Sequence, residues 1–249
     1  MKKKMLFLTI GIITHLTHAQ VLFTEDFNSY PAGHLNTDYT GNTAGQGGWL
    51  TERQASAATT AMVTPETGKG NVVTFTTNVT SNIENLKVFQ DTGVISALWN
   101  SRTAGNNVLK YEYEVYGTGF FNAYGNLYNL YNFPLLYLRF ASTTGYYIET
   151  NTMGTGGSHG ILKNYTATTF PHNMWIKVEF FIDYNTKKAY WYIPTLNLSK
   201  TDDITTANIL PDNISIHVNW LKPGSIVKYD NIKLTALPSV PSDILSTNE

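Results

Sequence analysis

The stretch WIKVEFFIDYNTKKAYWYI, residues 175–193, decides how the rest of the chain is read. Ile176, Val178, Phe180 and Ile182 fall on one side of a period-2 alternation, with Trp175, Lys177, Glu179 and Phe181 on the other. That is the pattern of a strand with one buried face. The polar run DYNTKK then separates it from a second β-rich segment, AYWYI, so the whole stretch reads as a hairpin. A hairpin implies an antiparallel sheet, and the question becomes how much of the chain joins it.

Working outward, strand signals recur at VLFTEDF (21–27), NVVTFTTNVT (71–80), VLKYEYEVYG (108–117), PLLYLRFA (134–141), GYYIET (145–150), NISIHVNW (213–220) and SIVKYDNIKLTAL (225–237). Gly, Asn or Pro punctuates them, and only TGVISALWNS (92–101) reads as a short helix, weakened by Gly93. Many short strands without helical crossovers predict an all-β protein built as an antiparallel two-sheet sandwich or jelly roll. Alternation also sorts faces. Leu109, Tyr111, Tyr113 and Val115 oppose Lys110, Glu112, Glu114 and Tyr116, while Ile214, Ile216, Val218 and Trp220 oppose Ser215, His217 and Asn219. If these strands are neighbours, their polar sides form one continuous surface.

The composition suits an exported β-protein. Charged residues make up 14% of the 249, well below the ~25% usual in soluble chains, and hydroxyls and amides supply the polarity instead. Residues 1–19 have the form of a cleaved signal peptide: Lys2, Lys3 and Lys4, an apolar stretch Met5–Ile13, and Thr17 and Ala19 at the −3 and −1 positions. Its removal leaves 14 basic against 18 acidic residues, a net charge near −4. That balance, without a basic cluster, speaks against nucleic acid as a partner. No other segment has the length and hydrophobicity of a membrane span. Cys is absent, which excludes disulfides, thiol catalysis and a Cys-borne lipid anchor. The expected division is a signal at 1–19, a β-sandwich at 20–236 and a flexible linker at 237–249, the last rich in Pro, Ser and Thr without periodicity.

The opening FTEDFNSYPAG (23–33), the Trp-led hairpin and the closing VKYDNIKL (227–234) resemble the concanavalin A-like lectin/glucanase (LamG-like) jelly rolls of secreted bacterial proteins. The resemblance implies a concanavalin A-like sandwich with a polysaccharide or oligosaccharide as partner. It also implies first and last strands lying side by side around a structural calcium. The positions that match such a site are Glu25, Asp26 and Asp230, which offer the hard oxygen ligands that Ca²⁺ takes. The tail ILSTNE (244–249) is similar to the linker preceding the sorting domain of Bacteroidetes type IX secretion cargo. That C-terminal sorting domain, a route to the cell surface, is missing here.

Candidate chemistry falls into two classes. A glycan-cleaving enzyme would use acids on an exposed sheet face: related glucanases carry Glu-x-Asp-x-Glu, and the nearest match, Glu112-Tyr-Glu114-Val-Tyr116, lacks the Asp and the last Glu. Glu149 and Glu179 could supply further acids. Carboxylates two apart on a strand stand about 6.5–7 Å apart at the backbone, which fits either glycosidase geometry loosely. A lyase would instead need an Arg to neutralise a uronate and a Tyr or His base, and Arg139 and His217 are the available groups. His34, His159, His172 and His217 show no zinc spacing, and the Gly-rich MGTGGSHG (153–160) reads as a mobile loop without phosphate-cradle features.

The second class is non-catalytic binding. FFNAYGNLYNLYNFP (120–134) holds six rings in fifteen residues and no charge. Its Gly and repeated Asn argue against a helix, so it reads as a long loop or irregular hairpin, with Phe120, Phe121 and Phe133 turned into the core. Tyr124, Tyr128 and Tyr131 are the expected sugar-stacking rings. Glu112, Glu114, Arg139, Glu179, His217 and Asn219 are the expected polar partners. A structural or protein-interaction module, indifferent to glycans, is the third reading.

Overall fold

The structure is a computed structural model that describes residues 18–53, 58–78, 85–129, 134–142, 145–152, 160–204 and 209–246. Most of the signal segment, Tyr131, Phe133 and nearly all of the Gly-rich loop at 153–160 lie outside the described residues.

Two antiparallel sheets face each other. The larger begins with β1 (Gln20–Glu25) and β2 (Gly33–His34). It also contains β4 (Thr60–Glu66), β5 (Gly70–Thr76), β7 (Val108–Thr118), β12 (Trp175–Asp183), β13 (Lys188–Ile193), β14 (Leu198–Asp203) and β16 (Ile226–Leu237). Its order is β14-β13-β12-β7-β16-β5-β4-β2, with β1 added beside β16. The smaller sheet comprises β3 (Leu50–Arg53), β6 (Asn85–Phe89), β8 (Asn122–Asn129), β9 (Pro134–Ala141), β10 (Tyr146–Thr152), β11 (Gly160–Tyr165) and β15 (Pro211–Asn219). These run in the order β11-β10-β9-β8-β15-β6-β3. The segment expected to be helical supplies α1 (Val94–Asn100), which buries Ile95 and Trp99.

The hairpin that opened the reading is β12 paired with β13. Asp183 caps its turn, with Oδ1 accepting the Asn185 N–H at 2.8 Å and the Thr186 N–H at 3.3 Å, the side-chain mimic of a backbone turn. Lys187 takes the left-handed conformation at φ 54°. Ile176, Val178, Phe180 and Ile182 are buried against the other sheet.

Aromatic rings fill the space between the sheets. Tyr111 and Tyr113 on β7, Phe180 on β12 and Tyr229 on β16 are fully buried, with neighbouring centroids 5.6–5.9 Å apart. They come from the larger sheet, so the strand opposite must give them room. That strand is β8, whose inward positions are Ala123, Gly125 and Leu127. A Cβ on Gly125 would overlap the Tyr113 ring. The Tyr229 hydroxyl lies 2.9 Å from the Tyr124 carbonyl oxygen and 3.1 Å from that of His217, tying one sheet to the backbone of the other.

Three expectations need correction. The aromatic run is not a loop: Asn122–Asn129 is a regular strand in the middle of the smaller sheet, paired with β15 and β9. Phe121 is buried, but Phe120 is 45% exposed beyond the strand's start, with the Lys222 ammonium over its ring. The tail is not a free linker either. β16 runs to Leu237, and the short helix α2 (Ser242–Ser246) follows. Val240 and Ile244 pack onto Val108, Phe181 and Tyr190 at one end of the larger sheet's outer face. Among the described residues, no helix is long and apolar enough to cross a membrane.

Candidate functional site

The residues singled out in the sequence do not share a surface. Glu112 and Glu114 stand on β7 and Glu179 on β12, on the outer face of the larger sheet. Tyr124 and Tyr128 stand on β8, Arg139 on β9, and His217 and Asn219 on β15, on the outer face of the smaller sheet. The two groups are separated by the thickness of the sandwich, and the single continuous polar face expected from alternation is two faces.

On the larger sheet the charges satisfy one another. Lys110 pairs with Glu112 and, at 2.8 Å, with Glu179, which Lys177 also contacts at 2.7 Å. Lys69 and Asn231 engage Glu114. Burial alone would raise the Glu179 carboxyl, but hydrogen bonds from Lys110 and Lys177 outweigh it and hold the group below the usual carboxylate range. A cavity of about 700 Å³ opens over this network, lined by Asp26, Tyr30, Glu112, Glu114, Lys177 and Lys233 among others. Glycoside hydrolysis needs one carboxyl kept protonated beside an ionised partner. The carboxyl with a raised pKa among the described residues is Asp230, pushed up to about 6 chiefly by burial. It is 1% exposed and does not line the cavity, so no substrate atom reaches it.

The matched calcium positions do not form a ligand set. The Glu25 carboxylate accepts the Phe27 N–H at 2.7 Å, the Trp49 indole N–H at 3.1 Å and the Tyr30 hydroxyl. Asp26 accepts the Asn28 N–H at 3.1 Å, and Asp230 accepts the Asn231 N–H at 2.8 Å with the Lys69 ammonium 3.8 Å away. Protein donors thus reach both oxygens of Glu25 and of Asp230 and one oxygen of Asp26. Among the described residues no three His, Cys, Asp or Glu side chains are grouped to hold a metal.

The smaller sheet is organised differently. Pairing across six strands aligns Glu52, Lys87, His217, Tyr124, Arg139 and Glu149 in one row over the outer face. Tyr124 and His217 stack nearly parallel, centroids 4.1 Å apart and 9° between planes. Arg139 bonds the Tyr124 hydroxyl at 3.3 Å, pairs with Glu149 at 2.5 Å and also contacts the Tyr147 hydroxyl. One register step away, Asn85, Asn219 and Asn122 form an amide row. A cavity of about 300 Å³ lies at the β6–β15 end, lined by Glu52, Arg53, Asn85, Lys87, Tyr128 and His217.

This geometry revises the expected roles. His217 covers one face of the Tyr124 ring and Arg139 stands 5.8 Å from its centroid, bonded to the hydroxyl, which leaves a sugar at most the other face. Tyr128 has the Lys87 ammonium 4.2 Å from its centroid. His217 Nδ1 lies 2.9 Å from the Asn126 amide nitrogen, which can only donate, so the imidazole proton sits on Nε2. Burial, reinforced by the nearby Lys87 charge, pushes His217 down to about 3 and keeps it neutral. Burial likewise raises the Tyr124 phenol, more than Arg139 lowers it. Lys87 and Asn85 were missed in the sequence, where β6 carries only five residues of weak pattern after a polar stretch.

No protein-family model and no curated sequence matches this chain. Solved structures do match in shape. A sialidase aligns at a TM-score of 0.55 and 8% identity over 86% of this chain, which spans only 18% of the sialidase's length. The carbohydrate recognition domain of Emp47p aligns at 0.52 and 8% identity, covering 88% of this chain and 97% of that domain. The CBM2 module of the evolved Dit of Lactobacillus casei BL23 phage J-1 aligns at 0.50 and 9% identity, covering 90% of this chain and 98% of the module. The fold is the concanavalin A-like jelly roll. At such identities the likeness extends to the fold alone, and a site has to be argued from the residues present.

Proposed function

We propose that this chain is an exported carbohydrate-binding domain that holds a saccharide on the outer face of its smaller sheet without cleaving it. One observation carries the reading: polar groups without protein partners converge there beside ring edges. The Lys87 ammonium and the His217 imidazole line the smaller cavity, with no ion pair to Lys87 and no bond to His217 Nε2 among the described residues, and Asn219 Oδ1, buried in the neighbouring amide row, has no hydrogen-bond partner either. A sugar offers hydroxyls to such donors and acceptors, and unmet buried polar groups reward a ligand that meets them. The Emp47p domain of the same fold is a carbohydrate recognition domain, which agrees with this assignment. Export rests on the signal-like residues 1–19.

The catalytic alternatives lack tuned groups. A general base works best with a pKa near the operating pH. His217 lies far below that range and the Tyr124 phenol is raised above its ordinary value. The Glu112, Glu114 and Glu179 cluster is neutralised by lysines.

The test is binding to a panel of soluble polysaccharides, comparing an Asn219→Ala/Tyr128→Ala variant with Glu112→Gln/Glu114→Gln. The expected result is at least a tenfold loss of affinity in the first and little change in the second. Loss confined to the second variant moves the site to the larger sheet. New reducing ends or unsaturated sugars make the protein an enzyme, and no binding at all makes it a structural or protein-interaction module.

A further inference from the structure

The smaller cavity contains a cation that makes no ion pair, although the Glu52 carboxylate lines the same space. Lys87 is half-buried on β6, and among the described residues no carboxylate lies within ion-pairing distance of its ammonium. The Nζ instead rests over two rings, 4.2 Å from the Tyr128 centroid and 4.6 Å from that of Phe89. Glu52 is its cross-strand partner but is exposed and makes no bond to it. On the other sheet Lys69, Lys110, Lys177 and Lys228 each pair with an acid, and Lys233 at the wide cavity is the exception among the described residues. A desolvated ammonium is unfavourable unless something compensates it, and ring faces compensate only in part. Burial accordingly pushes the Lys87 pKa down, with Glu52 opposing weakly.

The surroundings favour an anion. His217 lines the same cavity with its proton on Nε2, and the Asn85 side chain adds an amide. Donors from Arg53, Asn85, Lys87 and His217, against the single carboxylate of Glu52, face a space of about 300 Å³, enough for one substituted sugar ring but not for a long oligomer.

We propose that Lys87, with His217 Nε2–H beside it, receives an anionic substituent, a carboxylate or a sulfate, of an acidic polysaccharide. This deepens the carbohydrate-binding reading and rests on it. The ligand's charge completes an ion pair that the fold leaves open, and the rings of Tyr128 and Phe89 exclude water around it.

The experiment measures binding of the full chain to polygalacturonate, to a sulfated galactan and to a neutral β-glucan, for the unchanged protein, Lys87→Met and Lys87→Arg. The expected result is preference for one acidic polymer over the neutral one. Lys87→Met should weaken that binding at least tenfold, as loss of a charged hydrogen bond does, while Lys87→Arg retains most of it. Lys87→Met should also melt no lower than the unchanged protein, because an apolar chain of similar shape replaces an uncompensated charge. Whichever acidic arm binds identifies the substituent. Equal binding of neutral and acidic polymers, or full affinity in Lys87→Met, overturns this inference and leaves the sheet-face reading standing. Failure to bind any of the three polymers or the wider panel overturns both.

Discussion

The two outer faces of the sandwich hold similar kinds of side chain arranged to opposite ends. On the larger sheet, lysines and glutamates alternate across neighbouring strands and close on one another, so the wide cavity sits above charges that are mostly paired, Asp26 and Lys233 excepted. On the smaller sheet a single row runs from Lys87 through the His217–Tyr124 stack to Arg139; Arg139 Nε has no hydrogen-bond acceptor and Lys87 no ion pair among the described residues. The larger cavity is therefore the less reactive one. Volume measures room for a ligand, whereas unmet hydrogen-bonding capacity measures what a ligand would gain. One face pairs most of its charges, and the other leaves Lys87 without an ion pair among the described residues, which is the contrast the proposed site rests on.

The sharpest stability contrast is at His217. Its folded pKa of about 3 lies below the usual 6.5, so the unfolded chain binds a proton that the folded one refuses. The corresponding stability is complete above pH 6.5 and is lost as pH falls toward 3. His217→Phe should abolish a pH-dependent loss of about 3 kcal/mol between pH 7 and 4, read as the difference in urea midpoints between variant and parent. Identical pH profiles would break the contrast, placing the acid sensitivity in the carboxylates of the other face.

A smaller effect is expected where the tail covers the larger sheet. Ile244 is 1% exposed against Val108, Phe181 and Tyr190, so Ile244→Ala should cost about 2 kcal/mol in thermal melts. Glycan binding should not change, since this cluster lies on the opposite side of the sandwich. An unchanged melting temperature would return the tail to the status of a linker.

The smallest effect concerns Asp230. Its pKa, raised to about 6, means the folded state holds a proton more tightly than the unfolded chain does. That contribution is present below about pH 4 and is lost as pH rises through 6. Asp230→Asn should therefore stabilise the protein at pH 7.5 by about 1 kcal/mol or more. The gain should vanish below pH 4. A loss of stability at pH 7.5 would mean that the Lys69 pairing outweighs burial.

How much of this was legible in the sequence depended on which side of each strand carried the bulk. The β12–β13 hairpin and β7 were readable because Ile176, Val178 and Phe180, and Tyr111 and Tyr113, are large residues at alternate positions. β8 was not, because its buried side is Ala123, Gly125 and Leu127, small where rings from the facing sheet intrude. Its outward Tyr and Asn then dominate the pattern, and a central strand resembles a polar loop. The site suffered from a different gap. Alternation assigns each residue to a face of its own strand, but not to one of two sheets, and that choice separated Glu112, Glu114 and Glu179 from Arg139 and His217. Val240 and Ile244 were overlooked because two apolar residues among Pro and Ser make no period.

The most direct test of the account is amide NMR or hydrogen exchange on the intact protein with a polysaccharide from the panel that it binds. The account predicts perturbation of residues 85–89, 122–128, 137–141, 146–149 and 215–219 on the smaller sheet, with 110–116, 175–181 and 228–233 unaffected. Perturbation centred on Glu112, Lys177 and Lys233, with the smaller sheet silent, would contradict it and assign the ligand to the wide cavity on the other side.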